Sequence, residues 1–283
     1  MNYRHAFHAG NFADVIKHAT LVRILVHLRE KPAPFRVLDT HAGAGLYDLS
    51  ASEAMRGGEW RDGIARLLST QVAGPARALL AHYIEAVAAL NRPNELIAYP
   101  GSPMLVRGFL RSRDRLIACE LEPTAASALA DNLKGDSRCK AIAIDGWTAL
   151  KAYIPPKERR GLVLIDPAFE DAADFHRLAE AIESAHRKWA GGIYLLWYPR
   201  KDNRAPEALA ASLRRSRIPK ILRAEISLPV SANPERLRAC GLIIVNPPWT
   251  LEGELKLLLP QLLAALAQGA GGRWRLDWLA GEK

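Results

Sequence analysis

The chain has 283 residues, 49% of them hydrophobic, so it can bury a sizeable core and is not expected to be disordered. Its net charge of +9, from 39 basic and 30 acidic side chains, favours a polyanionic partner because a basic surface attracts phosphates. An odd number of cysteines argues against a disulfide framework, and no apolar run approaches the roughly 20 residues of a membrane helix, so we expect a cytoplasmic protein with no membrane partner.

Short, apolar, β-branched runs that end at turn residues predict the strands. In chain order they cover 35–39, 115–120, 140–145, 161–166, 192–197, 220–228 and 241–246, and a last piece at 273–278 alternates like an antiparallel edge strand. Helical patterns between them cover 124–133, 172–189, 206–215 and 251–267. Strands that alternate with helices indicate an α/β fold, with a mostly parallel seven-stranded sheet and helices on both faces.

One interval breaks this alternation. About seventy residues separate Gly45 from the second strand, where a single crossover helix would suffice. Ser102 suits a helix N-cap and Pro103 the first helical position, so residues 103–111 are the expected crossover helix. We therefore predict a main domain of residues 1–46 and 101–283, and a small helical insertion at 47–100 above the ligand-binding edge of the sheet.

Acidic side chains follow three consecutive predicted strands. Asp39 ends the first strand and is followed by Gly43-Ala44-Gly45, Glu120 ends the second, and Asp145-Gly146 follows the third. Open parallel sheets bind ligands beyond these carboxyl ends, and glycines let the backbone approach a ligand closely. Glu120 is suited to both hydroxyls of a ribose, and Asp145 to the amine of an adenine. Three acids at three such positions favour a nucleoside cofactor over simple loop capping.

A nicotinamide enzyme is the alternative for such a glycine loop. A pyrophosphate-binding loop runs Gly-x-Gly-x-x-Gly directly into a helix, but Asp48 occupies the third glycine position here. A carboxylate at that position would repel pyrophosphate. S-adenosylmethionine has no phosphate and carries a sulfonium cation, so the pattern favours an S-adenosylmethionine-dependent methyltransferase.

Two segments resemble the motif of amine-directed nucleobase methyltransferases: Asp166-Pro167-Ala168-Phe169 and Asn246-Pro247-Pro248-Trp249. In such a motif an acidic or amide oxygen and a backbone carbonyl accept the hydrogens of the amine, proline stiffens the turn, and the aromatic ring stacks on the extruded base. The second segment is the better match, but it follows the seventh strand. The first follows the fourth strand, next to the first strand in a doubly wound order. We therefore assign catalysis to Asp166, Pro167 and Phe169, and interpret 246–249 as a structural turn.

Several longer motifs together resemble one family. They are residues 3–11 (YRHAFHAGN) with Ala13-Asp14-Val15 and Lys17-His18, and residues 38–45 (LDTHAGAG), 99–103 (YPGSP), 192–199 and 245–249 (VNPPW). In this combination the chain resembles the bacterial 23S ribosomal RNA (adenine(2030)-N6)-methyltransferases of the RlmJ type, from Tyr3 to Trp278.

The resemblance implies a Rossmann-like class I methyltransferase that acts as a monomer on protein-free 23S ribosomal RNA. It implies that the cofactor S-adenosylmethionine is contacted by Lys17, His18, His41, Ser102, Glu120, Asp145 and Gly146, in addition to Asp39 and Gly43 of the first loop. It also implies that Asp166 accepts the target amine, and that Tyr3 lies against the adenine with His5 nearby. Ala168 and Phe169 depart from the usual Asp-Pro-Pro-Tyr, but Phe169 keeps a stacking face and the Pro167 carbonyl remains as the second acceptor, so we expect activity to persist.

Two other functions stay open at this point. A DNA adenine methyltransferase would share the motif, although no separate DNA-reading domain is evident. A basic RNA-binding assembly factor that has lost catalysis would be consistent with Ala168. The histidines have no acid or cysteine at ligand spacing, so no metal is predicted. Basic clusters occur at 111–115, 157–160, 200–204 and 214–220, and the sequence does not determine which of them faces RNA.

Overall fold

The main sheet of the protein contains eight strands. A computed structural model describes residues 4–171, 173–229 and 236–281. The strands are β1 (Phe35–Asp39), β4 (Arg115–Glu120), β5 (Cys139–Ala143), β6 (Arg160–Ile165), β7 (Ile193–Pro199), β8 (Ile221–Ser227), β9 (Ala239–Val245) and β10 (Arg273–Ala280). A separate antiparallel pair is formed by β2 (Leu46–Asp48) and β3 (Ala98–Pro100).

The strand order is β10-β8-β9-β7-β6-β1-β4-β5. Strands β5, β4, β1, β6 and β7 are parallel, while β9 is antiparallel to both of its neighbours and β10 is antiparallel to β8. The predicted mostly parallel α/β fold is therefore confirmed. The predicted count of seven is wrong by one, because the alternating piece near the carboxyl terminus pairs with β8 from Arg273 to Ala280 and completes the sheet.

Helices cover both faces of this sheet. They are α1 (Phe12–Glu30), α2 (Ser52–Gly57), α3 (Glu59–Asp62), α4 (Ile64–Ser69), α5 (Gly74–Ala88), α6 (Ser102–Phe109), α7 (Pro123–Leu133), α8 (Gly146–Tyr153), α9 (Asp174–Lys188), α10 (Arg204–Arg215) and α11 (Leu251–Leu266). Helices α1, α6, α7 and α11 bury side chains in one hydrophobic cluster, and α8, α9 and α10 bury theirs in a second. Alternate β1 residues point into the two clusters, Val37 into the first and Leu38 into the second, as strand geometry requires. None of the helices in the described part of the chain is long and apolar enough to cross a bilayer.

The long helix α1 is an element that the sequence patterns did not identify. Fourteen of its 19 residues are buried, so it has no polar face opposite an apolar stripe and lacks the usual helical periodicity. Its amino end does carry a local signal, because the side chain of Asn11 accepts a hydrogen bond from the Asp14 amide at 2.9 Å.

The region predicted as an insertion contains β2, α2 to α5 and β3. Ile64, Leu80 and Tyr83 from this region belong to the same hydrophobic cluster as α1 and α11, so it packs along one face of the sheet as well as reaching its ligand-binding edge. The division into two units therefore stays a prediction. Ser102 does not cap α6 as predicted: Gly101 is the N-cap, and the Ser102 hydroxyl donates to Asp39 Oδ2 at 2.6 Å.

Candidate active site

An open cavity of about 460 Å³ lies at the carboxyl ends of β1, β4 and β6. The predicted site residues in its lining are His5, Lys17, His18, His41, Gly43, Ser102, Glu120, Asp145, Gly146, Asp166 and Pro167. Asp39 and Phe169 are not in the lining, and Tyr3 falls outside the described residues. The parallel strands bring these distant residues together because their carboxyl ends share one edge.

The glycine loop after β1 is fixed by Glu120. One carboxylate oxygen of Glu120 accepts the Gly43 amide at 2.8 Å, and the other accepts the amides of Leu121 and Glu122 at 2.8 Å each. Gly43 has φ +61°, and a Cβ there would overlap the Tyr47 hydroxyl. Glycine is therefore required at this point, and the Glu120 carboxylate is oriented before any ligand arrives.

The amino end of α8 packs directly on the loop after β1. A Cβ on Gly146 would overlap the Thr40 carbonyl and lie 2.6 Å from the His41 ring. Asp145 caps α8 by accepting hydrogen bonds from the amide and hydroxyl of Thr148 at 2.8 and 2.9 Å. Burial lowers the pKa of His41 to about 4, so its imidazole is neutral at pH 7, and its Nδ1 lies 2.8 Å from the Thr40 hydroxyl.

Asp39 lies beneath the loop and is fully buried. Its Oδ2 accepts the Ser102 hydroxyl, whereas Oδ1 has no hydrogen-bond donor among the residues that the structure describes. Burial raises the pKa of Asp39 to about 7, although the hydrogen bond from Ser102 opposes this shift. A buried carboxyl with an unused oxygen is suited to accept a cationic donor.

Lys17 connects the amino-terminal helix to the motif after β6. Its ammonium forms ion pairs with Asp14 Oδ1, at 2.8 Å, and with Asp166 Oδ2. Burial alone would lower the pKa of Lys17, but the two carboxylates raise it well above its usual value. Lys17 is therefore cationic and fixes the orientation of Asp166.

Asp14 joins the predicted site residues Lys17 and His5, although the sequence patterns did not assign it to the site. It is 2% exposed and accepts hydrogen bonds from the Gly10 amide at 2.9 Å and from His5 Nε2 at 3.0 Å, in addition to its ion pair with Lys17. Burial would raise its pKa, but Lys17 and His5 hold that pKa well below its usual value. The available signal was an acid three residues after an Asn N-cap, a spacing typical of helix starts.

His18 belongs to a buried chain of ring contacts. Its Nδ1 lies 2.7 Å from the Tyr99 hydroxyl, which lies 2.8 Å from the Tyr83 hydroxyl. Burial lowers the pKa of His18 to about 3, so the ring is neutral. One edge of the His18 ring therefore borders the cavity, and the other edge contacts Tyr99 of β3, which in turn contacts Tyr83 of α5.

The two Pro-containing motifs lie at opposite edges of the sheet. Pro167 and Ala168 border the cavity, but the Phe169 ring packs on Phe175 and Trp197, with centroids 4.8 and 5.8 Å apart. The structure thus does not bring this ring to the cavity, and base stacking by Phe169 stays a prediction. Asn246 follows an antiparallel strand, so it lies at the other edge, where its amide donates to Ala190 O and Gly192 O at 2.7 and 2.8 Å.

The sheet order, the glycine loop and the acids at three neighbouring strand ends define a Rossmann-like class I methyltransferase. No cluster of three or more side chains suited to a metal occurs within residues 4–171, 173–229 and 236–281.

Comparisons with known proteins identify the family. The family model described as "Ribosomal RNA large subunit methyltransferase D, RlmJ" matches residues 32–280. The chain is 40% identical over 282 residues to "Ribosomal RNA large subunit methyltransferase J" of Escherichia coli (strain K12), and 38% identical over 283 residues to the protein of that name from Haemophilus influenzae, with full coverage of all chains. A crystal structure of a Legionella pneumophila protein superposes with a TM-score of 0.86 at 35% identity, covering 95% of this chain and 98% of that one. The chain therefore belongs to the RlmJ family, and the predicted resemblance and enzyme class are confirmed.

Proposed function

We propose that this protein transfers a methyl group from S-adenosylmethionine to the N6 amine of an adenine in 23S ribosomal RNA, acting as a monomer on RNA free of ribosomal proteins. The observation that carries this proposal is the ion pair that holds the Asp166 carboxylate at the cavity, whose lining also contains Glu120 and Asp145 from two other strand ends. The names of the two full-length relatives, which refer to large-subunit ribosomal RNA, support the substrate class.

The lining of the cavity fits S-adenosylmethionine. Eight of its eleven Asp, Glu, Lys and Arg residues are acidic, which suits a ligand with an ammonium and a sulfonium cation. Glu120 and Asp145 would hold the ribose and the adenine, with the Gly146 backbone alongside. Asp39 and Ser102 would hold the methionine end, where the unused Oδ1 of Asp39 can accept an ammonium hydrogen. Lys17, His18 and His41 border the same space.

The chemistry follows from what Asp166 and Pro167 present to the target amine. When bound, S-adenosylmethionine supplies an electrophilic methyl group. The amine of adenine is a weak nucleophile because its lone pair is conjugated into the ring. An Asp166 oxygen and the Pro167 carbonyl can accept its two hydrogens, which releases the lone pair for attack and stabilises the charge that develops on nitrogen. Asp166 then accepts the proton that the amine loses.

Mass spectrometry of 23S RNA tests this proposal. RNA from cells that lack the gene should lack one N6-methyladenosine, and the purified protein should restore it on protein-free transcript with S-adenosylmethionine. Equal methylation of duplex DNA would instead favour a DNA methyltransferase. If calorimetry detected no S-adenosylmethionine binding, the chain would be a non-catalytic RNA-binding protein.

A further inference from the structure

Two basic clusters that the sequence leaves unassigned come together at the edge of the sheet opposite the cavity. Residues 111–115 and 157–160 precede β4 and β6, and residues 29–36 precede and enter β1. Because these three strands are parallel and adjacent, their amino ends share one edge. We name residues 29–36, 111–115 and 157–160 the basal cluster.

Two arginines, Arg111 and Arg160, connect the three segments of the basal cluster by hydrogen bonds to backbone carbonyls. Arg111 donates to the carbonyls of Lys31 and Ala33 at 2.8 and 3.1 Å. Arg160 donates to the carbonyls of Leu28 and Ala33 at 3.0 Å each. The loop between α1 and β1 is therefore fixed against both other segments.

The basal cluster is strongly basic. It contains nine Lys or Arg and three Asp or Glu, a net charge of +6 in a chain whose total is +9. Each of its acids is already paired: Glu158 with Arg36, Asp114 with Arg111 and Glu30 with His27. Five of its cations are exposed and have no ion pair with an acid of the described chain: Arg29, Lys31, Arg113, Lys157 and Arg159.

The cavity has the opposite charge. Its lining contains eight acidic side chains and three basic ones, which are Arg4, Lys17 and Arg177. Lys17 is already ion-paired with Asp14. Phosphates flanking a target nucleotide gain little attraction there. RNA binding by this enzyme therefore needs cations elsewhere, and the basal cluster supplies them with its net charge of +6.

We infer that the basal cluster anchors the RNA substrate through its phosphates, at a distance from the adenine that enters the cavity. This inference rests on the proposed function for the identity of the polyanion. Each neutralised phosphate releases counterions, which gives affinity without reading sequence. The five residues of β1 separate the two edges by about 15 Å, so the anchored nucleotides lie outside the immediate neighbourhood of the target.

The test compares two triple variants on protein-free 23S RNA. The basal variant carries Arg113→Gln, Lys157→Gln and Arg159→Gln. The control carries Arg77→Gln, Arg92→Gln and Arg273→Gln, three exposed arginines that lie outside the basal cluster and outside the other two basic runs. For the basal variant we expect KM for RNA to rise about tenfold at moderate salt, and the slope of log KM against log salt to fall by about 2. We expect kcat, S-adenosylmethionine affinity and Tm to match the wild type.

The two proposals fail in different ways. If the basal variant and the control had the same KM and salt slope, the anchoring inference would be overturned while the wild-type methylation of 23S RNA still stood. If the wild type methylated no ribosomal RNA, the proposed function itself would be wrong.

Discussion

The two edges of the sheet use charge in opposite ways. At the cavity, Asp14, Lys17 and Asp166 are withdrawn from solvent and paired with one another, so each charge is fixed in position. At the basal cluster, cations such as Arg113 and Lys157 are exposed and are not ion-paired with acids of the described chain. Buried, paired charges can orient reacting atoms, whereas exposed ones attract a polyanion at long range. The comparison predicts that changes at the cavity edge affect turnover and that changes at the basal edge affect affinity.

The largest expected effect follows Asp166→Asn. The amide keeps the size of the side chain but loses the negative charge that Lys17 holds in place. We expect turnover to fall by at least about a hundredfold, in the range of other losses of oriented electrostatic groups, with S-adenosylmethionine binding retained. Single-turnover methylation of 23S RNA, with calorimetry for the cofactor, measures both. Near-normal turnover would show that Asp166 has no catalytic role. It would also contradict the prediction that changes at the cavity edge affect turnover.

A smaller loss of turnover is expected for Asp14→Asn. Its matched control is Asp114→Asn at the other edge of the sheet. Asp114 is also fully buried and ion-paired, with Arg111 at the basal cluster. Asp14→Asn leaves Lys17 with Asp166 as its remaining acid, and Asp114→Asn removes the acid that pairs with Arg111, so each variant should lower the free energy of unfolding by about 2 kcal/mol. Only Asp14→Asn should lower kcat, by about tenfold, because Lys17 and His5 lose their common acceptor.

Denaturant unfolding and steady-state kinetics on both variants separate these effects. If kcat fell equally for Asp14→Asn and Asp114→Asn, Asp14 would have a purely structural role.

The pH dependence of cofactor binding should reflect Asp39. Because the pKa of Asp39 is raised to about 7, the unliganded protein holds this carboxyl protonated below that pH and ionised above it. An ammonium ligand favours the ionised form. Affinity for S-adenosylmethionine should therefore weaken by up to about tenfold per pH unit below pH 7 and level off above it. Calorimetry from about pH 5.5 to pH 8.5 measures this, and Asp39→Asn should flatten the profile; a flat wild-type profile would exclude the role.

The smallest effect is expected for a single basal substitution. Arg113→Gln should raise KM for RNA by about twofold at moderate salt and lower the salt slope by less than 1, because one phosphate contact is lost. Steady-state methylation kinetics across a salt series measure this. An unchanged slope together with a reduced kcat would contradict the assignment of affinity to this edge.

The sequence predicted much of the fold, because buried strands and their terminal acids are local patterns. Glu120 and Asp145 could be assigned to one edge from strand order alone. Helix α1 could not be predicted from periodicity because it is buried nearly all round. The pairing of Lys17 with Asp166, 149 residues apart, depends on packing that no local pattern encodes.

The orientation of the Phe169 ring could not be predicted either, because it also depends on packing that no local sequence pattern encodes. Its φ of +51° turns the chain at the end of the motif and directs the ring toward Phe175, whereas the motif alone suggests a ring facing the base. The basal cluster was visible only as separate runs of basic residues, since Arg111 and Arg160 meet through the carbonyl of Ala33.

Helix α1 has a consequence that depends on its length. It carries Lys17 near one end and Arg29 near the other, twelve residues apart along a buried helix, or about 18 Å. If phosphates bind at the basal cluster while the adenine is held by Asp166, helix α1 fixes the distance between the two RNA-binding sites. The enzyme would then select its adenine partly by the spacing between an anchored backbone segment and an extruded base, a distance that neither edge of the sheet could measure alone.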